Sequence, residues 1–378
     1  SQLDNGQHIL IGAYHDTLAL MRSVGVDVDQ AFLRIPLDLR DPLGQGLHLP
    51  DWPAPWNVVA GIATARGWTW RDKWRLLQAC VRWQLMGFAC ATEWTVAQLC
   101  EASDLTPRIR AELIDPLCLS ALNTRPTQAC ANVFLRVLHD ALFTGRGASD
   151  LLLPRLDLSA LFVEPCLTWL KRQGATVHLG SRIDAATLNL TPGPVLLACA
   201  AWDAAKLTAH LSPHWAQQAS ALEHEAIATV YLQVDRKPAD LKAITALPHA
   251  PHAPDTTPAQ FLLDRQALLG QPGLLAAVIS AHHSDTHTLE TRVCQQIQNA
   301  LKTQKVQVIQ TIVEKRATMR LTPQLHRPSA HIANNWWACG DYVAGPYPST
   351  LEGAVRSGHN VVAQLTSSPS TCDITRHV

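Results

Sequence analysis

The sequence predicts an α/β fold joined to a region of α+β type, in which an antiparallel sheet packs with helices. Near the C-terminus, an apolar strand at 336–341 ends in Gly-Asp and is followed by a Pro-containing turn and a helix. In the middle of the chain, a helical pattern at 158–173 closes on Gly174 and leads into a short apolar segment, the order expected of an α/β protein. Strand-like patterns of the second region lie at 226–234, 259–263, 274–280 and 306–313.

The composition indicates how many domains the chain holds and which kinds of partner and compartment suit it. A chain of 378 residues holds about two domains. Charged residues make up 16% of it, below the roughly 25% of ordinary soluble proteins. Because Lys+Arg and Asp+Glu both number 31, no net field would draw the chain to nucleic acid. The ten cysteines include no Cys-x-x-Cys pair, which predicts reduced, mostly buried thiols in a cytoplasmic protein. No apolar run reaches the roughly 18 residues of a membrane-spanning helix.

The N-terminal half is predicted to be mostly helical after a strand or turn at 4–12. Gly25 ends a first helix, Thr95 and Thr106-Pro107 begin later ones, and Pro126 separates two pieces. The predicted helices of this half lie at 13–24, from about 71 to 85, and over 95–143. Further along, the prediction is a strand at 175–179, a strand at 194–199, a helix at 202–210, a loop at 238–258 and a helix at 288–301.

Seven of the twelve tryptophans lie between Trp52 and Trp94. On the helix from about 71, the apolar residues form one stripe and three arginines form another beside it. The apolar stripe contains Trp70, Trp74, Leu77, Val81 and Leu85, and the basic one Arg71, Arg75 and Arg82. One interpretation is a helix lying on the inner surface of a membrane, since Trp and basic residues favour the headgroup region. The other is a helix packed on the core with a solvated basic face.

The residues His282, His283, Asp285 and His287 resemble a set of metal ligands. They are better explained as a corner between a strand and a helix, with Ser284 or Asp285 as the N-cap. We therefore predict no metal site.

The C-terminal helix carries the clearest candidate for a ligand site. Ser349 and Glu352 have the spacing of a capping box, and Gly353 keeps the first turn slim. Its predicted apolar face contains Leu351, Ala354, Val355, Val361, Val362 and Leu365. A helix N-terminus offers unpaired N–H groups and the positive end of the macrodipole, so it suits an anionic ligand atom. An ordinary capped helix is the alternative.

Two segments of the sequence resemble known flavoproteins. Residues 338–342 together with 347–358 resemble the C-terminal flavin motif of the amine oxidase and phytoene desaturase superfamily. Residues 3–14 resemble one branch of it, the hydroxysqualene dehydroxylases, also called squalene-associated FAD-dependent desaturases. The likeness continues through 151–155 and 196–199.

The resemblance implies FAD as the cofactor and a Rossmann-like FAD-binding domain made of discontinuous pieces, 1–12, 151–210 and 331–366. It leaves 13–150 and 211–330 as a domain facing the substrate and the membrane, and 367–378 as a tail. The residues that the resemblance places at FAD are Gly6, Gln7, Ile183, Gly340, Asp341, Thr350, Leu351, Glu352 and Gly353.

Members of the superfamily open with a strand, a Gly-x-Gly-x-x-Gly turn and a helix that hold the FAD pyrophosphate. This sequence contains no such turn. We therefore expect the chain to begin just after that unit, and to bind FAD more weakly for lack of it.

The reaction implied by the resemblance belongs to squalene and hopanoid biosynthesis. A reduced flavin removes the allylic hydroxyl of hydroxysqualene, a long-chain isoprenoid, and leaves squalene. Departure of the hydroxyl needs a proton, for which Asp4, His8 and Tyr347 are candidates, each of which has an equally good structural explanation. The alternatives are a desaturase or amine oxidase of the same superfamily, or a lipid-binding or inactive fragment without FAD.

Overall fold

The structure, a computed structural model, describes residues 3–40, 44–189, 192–247, 257–282, 285–303 and 305–367. The chain divides into two compact units. The first unit consists of Ser1–Val177 and Glu223–Leu325, and the second of His178–Leu222 and His326–Val378.

The elements of the described residues confirm a mixed α/β composition. The strands are β1 (Leu10–Ile11), β2 (Phe32–Ile35), β3 (Leu151–Pro154), β4 (Val195–Leu197), β5 (His224–Val234), β6 (Ile244–Ala246), β7 (Phe261–Asp264), β8 (Leu274–Ile279), β9 (Val306–Met319), β10 (His331–Ala333) and β11 (Trp336–Ala338). The helices are α1 (His15–Ser23), α2 (Val28–Ala31), α3 (Trp56–Thr64), α4 (Trp70–Leu85), α5 (Val96–Ala102), α6 (Pro107–Ile109), α7 (Asp115–Leu122), α8 (Ala131–Phe143), α9 (Glu164–Arg172), α10 (Ala185–Asn189), α11 (Ala201–Thr208), α12 (Pro213–Ser220), α13 (Arg265–Leu269), α14 (Thr286–Leu301) and α15 (Leu351–Ser367). Short π-helical turns precede α7 and α9.

The first unit is built on a five-stranded antiparallel sheet with the order β6-β7-β8-β5-β9. Successive side chains of a strand point to opposite faces. Val230 and Leu232 of β5 accordingly join a core cluster with Val293 of α14, whereas Tyr231 joins a second cluster with Leu263. Both faces of the central strands are therefore buried, which explains their nearly continuous apolar sequence.

A smaller antiparallel sheet in the first unit, with the order β1-β3-β2, holds the N-terminal segment in place. Gly12 follows β1, and its N–H donates to the Asp150 carbonyl at 2.9 Å. A Cβ at Gly12 would lie 1.9 Å from the Gly147 carbonyl oxygen, so no larger residue fits at this position. Of the segment 4–12, predicted to be a strand or a turn, residues 10–11 form a strand and Gly12 lies in a turn.

Helix starts are the best-predicted feature of the first unit. Thr95, predicted as a helix start, forms a capping box with Gln98 at α5. Helix α4 begins at Trp70, close to the predicted start near 71, and its capping box of Thr69 and Asp72 was not predicted. Thr106 caps α6 as predicted. The predicted cap Asp285 accepts from the Thr288 N–H at 2.9 Å and starts α14.

The second unit contains a three-stranded sheet with the order β10-β11-β4. Strand β11 runs parallel to β4 with Ala338 opposite Leu197, and antiparallel to β10. The Cys339 N–H extends the parallel ladder by donating to the Leu197 carbonyl at 3.0 Å. Helices α11, α12 and α15 complete the unit, and the predicted strand at 194–199 and helix at 202–210 are confirmed.

Several predictions are wrong. Residues 175–179 are not a strand: no neighbouring strand pairs with them in the described part of the chain, and Leu179 is 78% exposed. The predicted loop at 238–258 contains β6, which pairs with β7, and its residues 248–256 lie outside the described residues. On α15, Val361 is buried but Val362 is half exposed, so the apolar face is narrower than predicted.

The nine cysteines of the described residues are all free thiols, but fewer are buried than predicted. The fully buried ones are Cys100, Cys118 and Cys130. Burial raises the pKa of the Cys100 thiol to about 12, which makes it unreactive at neutral pH. None of the described helices is both long and apolar enough to cross a membrane.

The compact units cut across the predicted domains. Residues 178–210 and 331–366 of the predicted FAD-binding domain belong to the second unit, whereas 1–12 and 151–177 belong to the first. The assignment of these pieces to FAD and substrate stays a prediction. The predicted tail at 367–378 lies outside the described residues except for Ser367, which ends α15.

Candidate functional site

The N-terminus of α15 is the first part of the candidate site. The Thr350 hydroxyl accepts from the Gly353 N–H at 3.1 Å, so Thr350 caps the helix, one residue after the predicted Ser349. The N–H groups of Leu351 and Glu352 belong to the first turn, where a helix provides no acceptor of its own. These two N–H groups and the macrodipole of a 17-residue helix give this end a partial positive charge.

The turn that precedes α15 requires a glycine at position 353. A Cβ at this position would lie 3.0 Å from the Pro348 carbonyl oxygen and 3.3 Å from the Tyr347 Cβ. The chain before the helix therefore folds closely over Gly353. By contrast, a Cβ at Gly358 of the same helix would meet nothing within 4 Å.

An arginine that the sequence analysis did not single out holds the loop before α15. The Arg327 guanidinium donates to the carbonyls of Gly345 at 2.9 Å and Tyr347 at 2.7 Å, and also to those of Asp341 and Tyr342. Burial lowers the pKa of Arg327, and the charge of Asp341 acts in the opposite direction. An arginine stays protonated in proteins, so a positive charge is fixed within the loop.

Gly340 and Tyr342 form the start of that loop. The Gly340 N–H donates to the Ser357 hydroxyl of α15 at 2.7 Å, and a Cβ at Gly340 would lie 2.7 Å from the Tyr342 ring. Tyr342 is buried, and its hydroxyl has no hydrogen-bond partner among the described residues. Burial raises the pKa of Tyr342, so this hydroxyl keeps its proton. A buried unpaired donor fits a polar group supplied by a bound molecule.

Tyr347 and Glu352 are linked through Arg356. The Arg356 guanidinium lies 4.7 Å from the centre of the Tyr347 ring and donates to the buried Glu352 carboxylate at 2.8 Å. Tyr347 therefore packs against a cation. In the same unit, Ile183 lies in a segment without regular structure and is 47% exposed.

In the first unit, the N-terminal segment covers a buried polar network. The Tyr231 hydroxyl donates to the Asp4 carbonyl at 2.7 Å and accepts from the Gln7 amide at 2.9 Å. The Gln7 carbonyl in turn accepts from Arg265, whose side chain is 1% exposed. The Asp4 carboxylate accepts from the Leu158 N–H at 3.2 Å and lies 3.8 Å from Arg265. These contacts give Asp4 and Gln7 a structural function.

His8 lies beside this network and is exposed to solvent. The protein around the ring lowers the pKa of His8 by desolvation, and the Asp4 carboxylate acts in the opposite direction. A pocket of about 20 Å³, large enough for about one water molecule, is lined by Gly6, Gln7, His8 and Arg265. The nearest atom to a Cβ at Gly6 would be the His8 Nε2, at 3.8 Å. Close packing therefore does not require a glycine at this position.

Among the described residues, no group of three or more His, Cys, Asp and Glu is placed to hold a metal ion. Asp285 caps α14 instead. His283 and Ser284 lie outside the described residues.

The residues that sequence reasoning missed are Arg327, Tyr342, Tyr231 and Arg265. Arg327 stands 14 to 20 residues before the carbonyls it binds, and Arg265 is 258 residues from Gln7. No local pattern identifies such pairs. For Tyr342, the position directly after the Gly340-Asp341 motif was the available signal.

Comparisons with known proteins agree with this fold. The chain matches the family described as "Flavin containing amine oxidoreductase" over residues 2–366. Hydroxysqualene dehydroxylase of Zymomonas mobilis is 24% identical over 393 residues, covering 94% of this chain and 85% of the relative. The enzyme of the same name from Sinorhizobium fredii is 26% identical, covering 68% of this chain and 63% of the relative. That of Rhodopseudomonas palustris is 25% identical, covering 49% and 43%.

Solved structures share the architecture at low sequence identity. An oxidoreductase from Methanosarcina mazei has a TM-score of 0.65 and 11% identity, covering 94% of this chain and 87% of that one. Cyclohexylamine oxidase from Brevibacterium oxydans has a TM-score of 0.60 and 13% identity, covering 96% and 87%. The family match spans nearly the whole sequence, and a helix N-terminus and an unpaired tyrosine hydroxyl in the second unit fit a bound flavin nucleotide. The chain therefore belongs to the flavin containing amine oxidoreductase family, and its cofactor is FAD.

Proposed function

We propose that this protein reductively removes the hydroxyl of hydroxysqualene to give squalene. The observation that carries the proposal is the alignment, over up to 94% of the chain, with three relatives named hydroxysqualene dehydroxylase. Membership in a flavin family is consistent with a redox reaction of this kind. We place the protein in the cytoplasm and its reaction in squalene and hopanoid biosynthesis.

FAD is held, in this proposal, by the residues that carry the flavin motif. Within the second unit these are Ile183, Gly340, Asp341, Thr350, Leu351, Glu352 and Gly353. The partial positive charge at the start of α15 stabilises negative charge on a ligand by roughly 0.3 to 1 kcal/mol when exposed, and up to about 2 kcal/mol when partly buried. Arg327 adds a full charge to the loop before the helix.

The net reaction breaks one C–O bond, forms one C–H bond and releases water. Bound FAD in its reduced form supplies the hydride equivalent. The protein supplies a proton to the departing hydroxyl, and an apolar surrounding protects the allylic carbon from water. The Asp4 carboxylate already accepts from the Leu158 N–H and lies beside the Arg265 guanidinium, and the Tyr347 ring packs on Arg356. His8 has no hydrogen bond or ion pair with another described residue, so we assign the proton to the His8 imidazole.

Product analysis tests the proposal. The protein is loaded with FAD, reduced under anaerobic conditions and mixed with hydroxysqualene, and the extract is separated by gas chromatography and mass spectrometry. We expect squalene, formed in proportion to the reductant consumed. A product with additional double bonds, formed only with oxidised flavin, would identify a desaturase, and oxidation of a primary amine with no squalene formed would identify an amine oxidase.

A further inference from the structure

Helix α4 presents two apolar faces, and only one of them is buried. The buried residues of the helix are Asp72, Leu76, Ala79 and Trp83. On the other side, Trp70 is 75% exposed, Trp74 51%, Val81 57% and Leu85 84%. The stripe predicted from the sequence is therefore mostly exposed, with Leu77 half-buried. The helix does pack on the core, as one interpretation held, but through a different set of residues.

The exposed apolar residues continue beyond this helix. Trp52, Trp56, Val59 and Met86 are each at least 39% exposed. Together with the four residues of α4, they account for eight of the seventeen exposed large apolar residues in the described chain. Helices α3 and α4 are adjacent, since the Lys73 ammonium donates to the Ala63 carbonyl at 2.8 Å. We call these eight residues the tryptophan face. Such a concentration of exposed apolar groups marks an interaction site.

The buried side of α4 is held to the rest of the first unit by hydrogen bonds. The helix is therefore not detached, and its exposed residues are a feature of the folded surface. The Trp83 indole donates to the Ser103 hydroxyl at 3.0 Å, and the Trp68 indole to the Glu112 carboxylate at 2.8 Å. The Asp72 carboxylate accepts from the Thr106 hydroxyl at 2.6 Å. Trp68 and Trp83 are thus core residues, whereas Trp70 and Trp74 stack on each other at the surface.

The charge of the segment that carries the tryptophan face indicates which partner the face binds. Residues 56–86 contain five basic residues and one acidic residue, a net charge of +4 in a chain whose formal net charge is 0. The basic residues are Arg66, Arg71, Lys73, Arg75 and Arg82. The one acid, Asp72, is buried at the cap of α4, so it adds little to the surface. Tryptophan prefers the headgroup region of a bilayer, and clustered basic residues are attracted to anionic lipids.

We propose that the tryptophan face docks on an anionic phospholipid bilayer, with the indoles of Trp70 and Trp74 and the tip of Leu85 among the headgroups and acyl chains. The exposed side chains of Arg66 and Arg71 contact the lipid phosphates, whereas Lys73, Arg75 and Arg82 bond to groups of the protein. The protein is thereby a monotopic membrane protein, consistent with a hydrocarbon substrate but argued from this surface independently of the reaction.

Vesicle flotation tests the docking. Full-length protein is mixed with vesicles of phosphatidylcholine alone, or of phosphatidylcholine with an equal amount of phosphatidylglycerol. We expect flotation mainly with the anionic vesicles and a blue shift of tryptophan fluorescence. Trp70→Ser with Trp74→Ser should lower the partition coefficient at least about tenfold, since two large apolar groups are removed from the interface. Arg66→Gln with Arg71→Gln should lower it roughly fivefold for each charge removed.

Two control variants separate docking from folding. Trp169→Ser removes an exposed tryptophan of α9, outside the tryptophan face, and should float like the wild type. Trp83→Ser removes a core indole and should unfold the protein, whereas the Trp70/Trp74 variant should keep the wild-type circular dichroism and melting temperature. Unchanged flotation of the Trp70/Trp74 variant would overturn the proposal. So would a wild-type dimer that this variant makes monomeric, with no vesicle binding by either protein, because the face would then bind a second copy.

Discussion

At the scale of single residues, Arg327 carries much of the candidate flavin site. Its guanidinium holds four carbonyls of the loop between β11 and α15, and no other cation among the described residues is shown to bind them. Replacing it leaves those carbonyls without their donor. Each buried polar group left unpaired costs about 1–3 kcal/mol.

We therefore expect Arg327→Leu to lower the free energy of unfolding by about 1–3 kcal/mol and to reduce FAD retention after gel filtration. Arg327→Lys should recover part of both, because an ammonium keeps the charge and three donors. Lys206→Leu, at an exposed position of the same unit, is the matched control and should change neither. FAD retention unaltered in Arg327→Leu would separate this loop from the cofactor.

A second residue-scale prediction concerns His8. Its pKa is lowered from the ordinary value of 6.5, so the folded protein binds this proton less readily than the unfolded chain does. The contribution of His8 to stability is therefore present above about pH 6.5 and is lost as the pH falls towards the lowered pKa.

If the His8 imidazole supplies the proton, kcat/KM must fall as the pH rises through this pKa, with a midpoint below about 6.5. We expect His8→Gln to lower kcat/KM and to remove that limb of the pH profile. A His8→Gln enzyme with the same pH profile as the wild type would show that the proton comes from another group.

At the scale of elements, α15 offers a matched pair of glycines. A Cβ at Gly353 would press on the Pro348 carbonyl and on Tyr347, whereas a Cβ at Gly358 would enter open space. We expect Gly353→Ala to displace the turn before the helix and to weaken FAD binding. Gly358→Ala should preserve binding and stabilise the helix by up to about 1 kcal/mol, because alanine favours a helix more than glycine does. Titration of FAD into each variant measures the difference, and equal affinities would place the flavin away from this turn.

Elements whose signals are local could be predicted from the sequence, and elements that depend on distant partners could not. Thr69, Thr95 and Thr106 each mark a helix start by contacts within three residues. The segment 175–179 has the composition of a strand but no partner strand in the described chain. Strand β6, in contrast, forms within a polar segment because β7 pairs with it.

The burial of the tryptophans also depends on distant partners and could not be predicted from local sequence. Trp68, Trp70, Trp74 and Trp83 are chemically identical, and helical spacing alone placed Trp70 and Trp74 together without deciding which side faces the core. The decision rests on long-range contacts, such as that of Trp83 with Ser103 and of Trp68 with Glu112. In the candidate site, the C-terminal motif was visible in the sequence, whereas the function of Arg327 depends on the folded loop.

At the scale of the whole molecule, the chain combines a flavin fold, an unusually low share of charged residues and an exposed tryptophan face. A family match over 2–366 and solved structures with TM-scores of 0.60 and 0.65 agree on the architecture. In the proposed function the substrate is an isoprenoid, a proposal supported by the names of three relatives. The proposed docking of the tryptophan face would bring the protein to the membrane that holds such a substrate.

A single-turnover experiment tests the central proposal most directly. The FAD-loaded protein is reduced with one equivalent of reductant in the absence of oxygen, and hydroxysqualene is added while the visible flavin spectrum is followed. We predict that the oxidised flavin spectrum returns and that one squalene is formed for each flavin reoxidised. A flavin that stays reduced in the presence of hydroxysqualene, with no squalene in the extract, would contradict the proposed function.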